Sequence, residues 1–386
     1  MRALNVTSTP KLVRLNPNIP FKTRGNGAVS FEVDERENTK KEVMRYVKKY
    51  SQLKDPNTNP GIAFVSDPTK TKRRILSDFY QKTMTEYVSI EEAEEIAARA
   101  DATLIKYKNG RGVIGALAAC GATFGDKTYE LLAYRVKENF GKKRMIDVGS
   151  VFRMNERLYP NCFDNVDTET GQILITPRGR DPVFCGIRGE TTEDVHKGWE
   201  MIKPLEEIAW TQVFETNQAT DAHLTRKRIG DLKRYDCVIV HGVVSKKPQT
   251  VSGGHVLFTL QDATGVITCC AYRQSRFLRK SVSSLMPGDT VTVYGGIGKH
   301  EHTLNIEKLS VEHLAVDAAA RNPTCHGRHM TSMGTGKGFR CRVCKVRAPE
   351  AAKVTVVTPR TIALGCFEPP PSARRHLSKP LIRGIT

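Results

Sequence analysis

The chain has 386 residues, with 60 Lys and Arg against 41 Asp and Glu, a formal net charge of +19 and an isoelectric point near 9.5. That length exceeds one ordinary core and implies several domains, and so large a positive charge is best tolerated beside a polyanion, of which nucleic acid is the commonest. No apolar run approaches a membrane span or a signal-peptide core, and the ten cysteines show ligand spacing only at Cys341 and Cys344, which argues against a secreted disulfide scaffold and for a reduced cytoplasm.

The densest signal lies at 14–31, Arg-Leu-Asn-Pro-Asn-Ile-Pro-Phe-Lys-Thr-Arg-Gly-Asn-Gly-Ala-Val-Ser-Phe. Lys22, Thr23 and Arg24 stand directly before Gly25, Asn26 and Gly27. Fixed cations beside a glycine turn suit phosphate, because glycine lets the main chain approach and present its N–H groups. A strand is expected over 28–33, a charged helix over 37–52, a turn at 55–61 and a strand over 62–65. Ile75, Phe79, Met84, Val88, Ala93 and Ile96 recur at helical spacing, so 69–100 reads as helix, with the carboxylates at 91–95 as a solvated face.

A second unit is expected from about residue 103. Gly110-Arg111-Gly112 opens an apolar helix whose N-terminus can hold a phosphate, although close helix packing demands the same glycines. Polar clusters follow at 163–167, 176–182, 186–190 and 217–223. Each sets a carboxylate, Arg or His among turn residues. Asx turns and caps explain any one of them, but capping does not require such density.

From residue 230 the pattern turns to short β runs at 237–244, 255–260, 266–272, 290–295 and 302–306, with a helical insert at 275–285 between the third and fourth. That is the layout of an OB-fold barrel. The insert region carries Arg273, Arg276, Arg279 and Lys280 with Tyr272 and Phe277 close by, a mixture able to stack bases and follow a phosphate backbone; Phe277 reads equally well as core.

Cys341 and Cys344 form a C-x-x-C knuckle, and Cys325, His326 and His329 precede it. Zinc needs a second pair of ligands. Cys325 with His329 has C-x-x-x-H spacing, whereas His326, next to Cys325, reaches the same metal only with strain. The expected set is Cys325, His329, Cys341 and Cys344, and without metal so short a segment hardly forms a core.

Taken together these words resemble one family, the archaeal isoleucine-tRNA 2-agmatinylcytidine synthetases (TiaS). The likeness rests on 14–29, Asn-Pro-Gly at 59–61, the glycine-rich run at 110–119, Phe-Asp-Asn-Val-Asp at 163–167, Gly-Ile-Arg-Gly-Glu at 186–190, Asn217 through His223, the barrel, the ribbon and the tail at 370–383. It spans essentially the whole chain in order. The resemblance implies an α+β multidomain fold: a kinase-like ATP domain (1–102), a ferredoxin-like domain (103–229), an OB-fold (230–318), a zinc ribbon (319–350) and a tail (351–386).

It further implies an ATP-dependent ligase that attaches agmatine to C2 of the wobble cytidine in an isoleucine tRNA, so that the tRNA reads AUA. Lys22, Thr23, Arg24, Gly25, Asn26, Gly27 and Arg111 are the expected ATP contacts. Asp164, Asp167 and Asp221 are the candidate catalytic carboxylates, and Arg188, Glu190 and His223 the candidate agmatine and substrate contacts. A guanidinium wants a bidentate carboxylate, and an amine must be held and deprotonated. Mg2+ on ATP and zinc in the ribbon complete the cofactors.

One departure stands out. The family begins with an aspartate-rich segment expected to hold metal and ATP, and this chain starts after it. Either the start codon is placed too far downstream or the metal carboxylates are lost, and the retained words favour the first. The 386-residue chain is therefore expected to be inactive or unstable in its ATP domain. The alternative function is a non-catalytic binder of tRNA or single strands built on the barrel and ribbon.

Overall fold

The computed structural model describes residues 1, 3–21, 26–34, 37–179 and 182–385. In the first unit β1 (Lys11–Arg14) pairs antiparallel with β2 (Gly27–Ser30), and α1 (Thr39–Tyr50) leads to β3 (Gly61–Val65). The stretch expected as one helix is two, α2 (Lys70–Thr85) and α3 (Ile90–Ala100). The break has a local cause. Ser89 caps α3 by accepting from the Glu92 N–H, which requires extended backbone at the cap.

β4 (Ala102–Lys106) pairs antiparallel with β3, and α4 (Gly112–Cys120) packs against α2 and α3. Leu76, Phe79, Tyr80, Ala93, Ala97, Ala100 and Leu117 form the core, the alanines falling one helical turn apart on α3. The first unit thus runs past the division expected at residue 103, since cutting there would strip β3 of its partner.

The second unit comprises β5 (Thr128–Arg135), α5 (Val148–Leu158), β6 (Cys162–Phe163), the short pair β7 (Val166–Asp167) and β8 (Gln172–Ile173), β9 (Val183–Gly189), α6 (Thr192–Met201) and β10 (Ile208–Thr216). Val151 and Met154 from α5 pack with Ala133, Phe184 and Ile187. Because β1 also pairs parallel with β10, one sheet in the order β2-β1-β10-β5-β9-β6 joins the two units.

β11 (Thr225–Arg226) leads into the barrel of β12 (Cys237–Thr250), β13 (Val256–Gln261), β14 (Val266–Ala271), β15 (Thr290–Ile297) and β16 (Thr303–His313). β12 closes on β15, β14 lies parallel to β16, and α7 (Phe277–Ser283) sits between the third and fourth strands, as expected of an OB-fold. Its Leu278 and Val282 join the barrel core with Val240, Phe258, Leu260, Val293 and Leu304.

The ribbon follows: β17 (Ala318–Arg321) pairs with β23 (Val354–Val357), and between them lie β18 (Thr324–Cys325), β19 (Arg328–His329), β20 (Thr331–Ser332), β21 (Phe339–Arg340) and β22 (Arg347–Ala348). β24 (Gly365–Phe367) returns to the barrel on β16, and residues 368–383 run as a strap over the second unit. Among the described residues no helix is long and apolar enough to cross a membrane.

Candidate nucleotide cleft, ion-pair network and metal centre

A cleft of about 420 Å³ opens in the first unit, lined among others by Asn16, Phe21, Asn26, Gly27, Asn59, Gly61, Glu86, Arg111 and Gly112. Two glycines make it possible. A Cβ on Gly61 would lie 2.2 Å from the Val113 nitrogen, and one on Gly112 would lie 2.2 Å from the Asn59 carbonyl oxygen. The Asn-Pro-Gly loop and the start of α4 therefore meet backbone to backbone, which accounts for both motifs by packing and aims the first turn of α4 at the cleft. Asn26 takes a left-handed φ of 36° and donates through Nδ2 to the Asn16 carbonyl at 3.0 Å. Asn26, Gly27 and Arg111 thus share one cavity; Lys22, Thr23, Arg24 and Gly25 lie outside the described residues.

Asn16 and Asn18 have a different task from the one their motif suggests. Buried Asn16 donates to the Tyr235 carbonyl at 2.9 Å, and Asn18 to the Asp236 carbonyl at 3.0 Å. They lock the cleft to the entrance of the barrel.

The carboxylates singled out in the second unit are largely engaged. Asp167, fully buried, accepts from Ser372 and pairs with Arg276 at 3.0 Å. Burial pushes its carboxyl up, but the Ser372 and Arg276 hydrogen bonds outweigh this and hold it below the ordinary range. Asp221 pairs with buried Lys308 and accepts from the Lys379 N–H at 2.7 Å. His223, with no exposed surface, faces Glu307 at 3.0 Å, and Glu307 also pairs with Arg375 at 3.1 Å. Glu190 is bound by Arg383, whose other partner is Asp126 at 2.9 Å. Asp167, Asp221, Glu190 and His223 therefore fasten the strap and the barrel to the second unit, and three of them are sealed from solvent.

Asp164 and Arg188 also meet the strap. Asp164 pairs with Arg374 and lies 3.9 Å from Arg188. Arg188 donates to Glu130 at 3.4 Å and meets His376 Nδ1 at 2.7 Å. Arg14 completes the line: its guanidinium feels both Glu130 and Arg188, and its Nη1 lies 3.3 Å from where a Cβ on Gly27 would be. Arg14 thus backs Gly27 at the cleft, and separately Arg188 bridges Glu130 and Asp164. Glu130 was not singled out in the sequence. Its signal is an acid at a buried position of a strand, Thr-Tyr-Glu-Leu-Leu.

On the barrel, Arg273, Arg276, Phe277, Arg279 and Lys280 line a second, open cavity of about 470 Å³ with Glu169. Phe277 is 54% exposed there and is not core.

In the ribbon, ligand atoms of Cys325, His326, Cys341 and Cys344 all lie within 4.8 Å of one another. The expected His329 is replaced by His326, because Nδ1 of His329 faces the Asn322 carbonyl at 2.9 Å. Strain is relieved by a two-residue turn: His326 and Gly327 both adopt positive φ, 52° and 68°, between β18 and β19. Three thiols and one imidazole are a tetrahedral zinc set. The N–H groups of Cys344 and Val343 draw the Cys341 thiol down to about 6, while Cys344 and Cys341 push Cys325 up to about 11.

Comparison with known proteins covers all of these parts. Family models match in chain order: the TiaS TCKD domain at 2–109, the TiaS FLD domain at 110–223, an OB-fold nucleic acid binding domain at 230–314 and the TiaS C-terminal zinc ribbon domain at 322–362. The isoleucine-tRNA 2-agmatinylcytidine synthetase TiaS of Pyrococcus horikoshii is 44% identical over 379 residues, covering 97% of this chain and 88% of the relative. Its counterpart in Archaeoglobus fulgidus is 41% identical over 383 residues, covering 98% and 89%. The crystal structure of a TiaS complex with isoleucine tRNA and ATP superposes with a TM-score of 0.92 at 40% identity, covering all of this chain and 91% of that one. A complex of TiaS with the same tRNA, AMPCPP and agmatine gives 0.88 at 37%, covering 100% and 90%.

Proposed function

The chain belongs to the TiaS family of isoleucine-tRNA 2-agmatinylcytidine synthetases, and from that premise we infer that it ligates agmatine to C2 of the wobble cytidine of an isoleucine tRNA with ATP. A P–O bond of ATP breaks as a phosphorus-bearing group passes to the C2 oxygen; the primary amine of agmatine then forms the new C–N bond at C2 and gives up a proton, and the oxygen leaves with the group it received. The observation that supports this reading is a cleft lined by Asn26, Gly27 and Arg111, with Arg14 packed behind Gly27, in one molecule with a chain of ion pairs in which Arg188 bridges Glu130 and Asp164. Arg111 and the glycine turns at the cleft, with carboxylates in the second unit, suit one anionic and one cationic substrate.

Lys22, Thr23, Arg24 and Gly25, with Asn26, Gly27 and Arg111, hold the triphosphate by charge and close backbone approach. Asp164 and Glu130 receive the cationic ends of agmatine, and Arg188 keeps the two carboxylates apart. Asp167, Asp221, Glu190 and His223 act as positioning residues through the strap and barrel. Glu86 is the one carboxylate among the described lining residues of the cleft. A lone carboxylate does not make a Mg2+ site. Cys325, His326, Cys341 and Cys344 hold zinc, which stabilises a ribbon whose buried core is little more than Met330, Phe339 and Cys341. The protein works in the cytoplasm, where its free thiols stay reduced.

The test is transfer of labelled agmatine to an isoleucine tRNA transcript. Label in RNA that depends on protein and ATP together supports the ligase; tRNA binding without transfer leaves only the binding function.

A further inference from the structure

At the mouth of the cleft, aromatic rings and guanidinium groups form a ladder. Arg111 Cζ lies 5.4 Å from the Phe21 ring centre and 5.3 Å from that of Tyr87, while its Nε donates to the Phe21 carbonyl at 3.2 Å. Tyr87 rests on Tyr235 with ring centres 6.2 Å apart, and Arg234 lies 5.9 Å from the Tyr235 ring. The series Phe21, Arg111, Tyr87, Tyr235, Arg234 therefore reaches from the first unit to the barrel entrance.

Core packing does not explain it. Phe21 is 59% exposed and Tyr87 42%, large ring surfaces left in water beside a cation. Tyr235 is buried, yet it takes a left-handed φ of 71°, rare for a bulky side chain. Asn16 holds that conformation through the Tyr235 carbonyl at 2.9 Å. Strain of this kind persists where surroundings over-determine it, and here it braces the back of Tyr87.

We propose that this ladder seats an unstacked RNA base next to the reacting cytidine, on the exposed face of Phe21, with Arg111, Tyr87 and Tyr235 bracing that ring from behind. The proposal rests on the tRNA substrate inferred above. A cytidine can enter the cleft only if its loop is splayed, and splayed bases are held by aromatic and guanidinium planes. The adenine of ATP is the other nucleobase at hand. Phe21 and Arg111 line the cleft, but Tyr87 and Tyr235 lie beyond its lining, so the ladder outruns a single bound nucleotide.

The experiment measures binding of an isoleucine tRNA transcript carrying 2-aminopurine beside the reacting cytidine, and binding of ATP separately. Wild type, Phe21→Ala, Phe21→Leu and Phe21→Trp are compared, with unfolding midpoints confirming that each variant is folded. Phe21→Ala and Phe21→Leu weaken tRNA binding about tenfold, within the range for one lost base–aromatic stack, and abolish the 2-aminopurine fluorescence change. Phe21→Trp keeps both, and in the other two variants ATP affinity falls by much less than tRNA affinity. Loss of ATP affinity with tRNA binding intact would assign the ring to the nucleotide and overturn the proposal. Full binding by Phe21→Leu would reduce the contact to plain apolar burial, and equal binding by all variants would leave the ladder no role in RNA. Agmatine transfer by wild type, read alongside, separates failure of this proposal from failure of the ligase reading.

Discussion

Asn18 sits directly over Gly296 of β15: a Cβ on that glycine would lie 2.0 Å from the Asn18 Nδ2, which donates to the Asp236 carbonyl. The motif at 14–29 is thus also a wedge, its asparagines driven into a notch that only glycine leaves open.

Gly296→Ala should loosen this joint at a cost of about 1–3 kcal/mol, the usual penalty of overpacking. Gly125→Ala, where nothing lies within 4 Å of the added carbon, should be near neutral. Thermal unfolding of the two variants checks the difference, and equal midpoints would remove the wedge from the account.

Asp221 and Lys308 form a buried pair. Asp221→Ala strands the ammonium in the interior and should cost about 3–5 kcal/mol, whereas the double variant Asp221→Asn, Lys308→Met, which keeps an acceptor for the Lys379 N–H and tolerates the left-handed φ of 57°, should recover most of that stability. If Asp221 is a positioning residue, the folded double variant still transfers agmatine. A folded double variant without turnover would return Asp221 to the chemistry.

Much of this organisation was legible in the sequence, for identifiable reasons. The barrel strands alternate or run apolar between Gly, Pro and Asp turns, so their order and the helical insert followed from pattern. The ion-pair network did not. Asp164, Asp167, Glu190 and Asp221 drew notice as acids on strand ends, but their partners Arg374, Ser372, Arg383 and Lys308 lie far along the chain, and the strap has no periodicity. Glu130 was hidden inside an apolar strand. His326 was passed over because adjacent ligands look strained, and the relief comes from Gly327, a turn residue rather than a donor.

Acid should weaken the same network in a defined window. Burial alone would raise the Glu307 carboxyl, but Arg375 and His223 bring it down to about 2 from an ordinary 4.5. A depressed carboxylate contributes stability above its unfolded pKa and loses it as pH falls through the folded one. Stability should therefore decline from about pH 4.5 toward pH 2, by on the order of 3 kcal/mol from this group. Glu307→Gln should flatten that slope in denaturant titrations at stepped pH. An unchanged slope would show that Glu307 is not what acid reaches.

Metal content should separate the two histidines. His326→Ala should lose zinc and unfold the ribbon, while His329→Ala should retain the metal, as read by elemental analysis and by the charge-transfer absorbance of a cobalt substitute. The reverse pattern would restore the spacing-based assignment.

The strap bears on the order in which the molecule completes itself. Arg383 reaches Asp126 across 257 residues of chain, and Arg374 reaches Asp164 across 210. On a ribosome, the second unit and the barrel emerge before these cations exist, leaving Asp126 and Glu190 without Arg383, and Asp164 without Arg374. Contacts of such sequence separation form late. A partly made chain can therefore join its cleft to its barrel through Asn16 and Asn18 while the second unit still lacks the strap that fastens it.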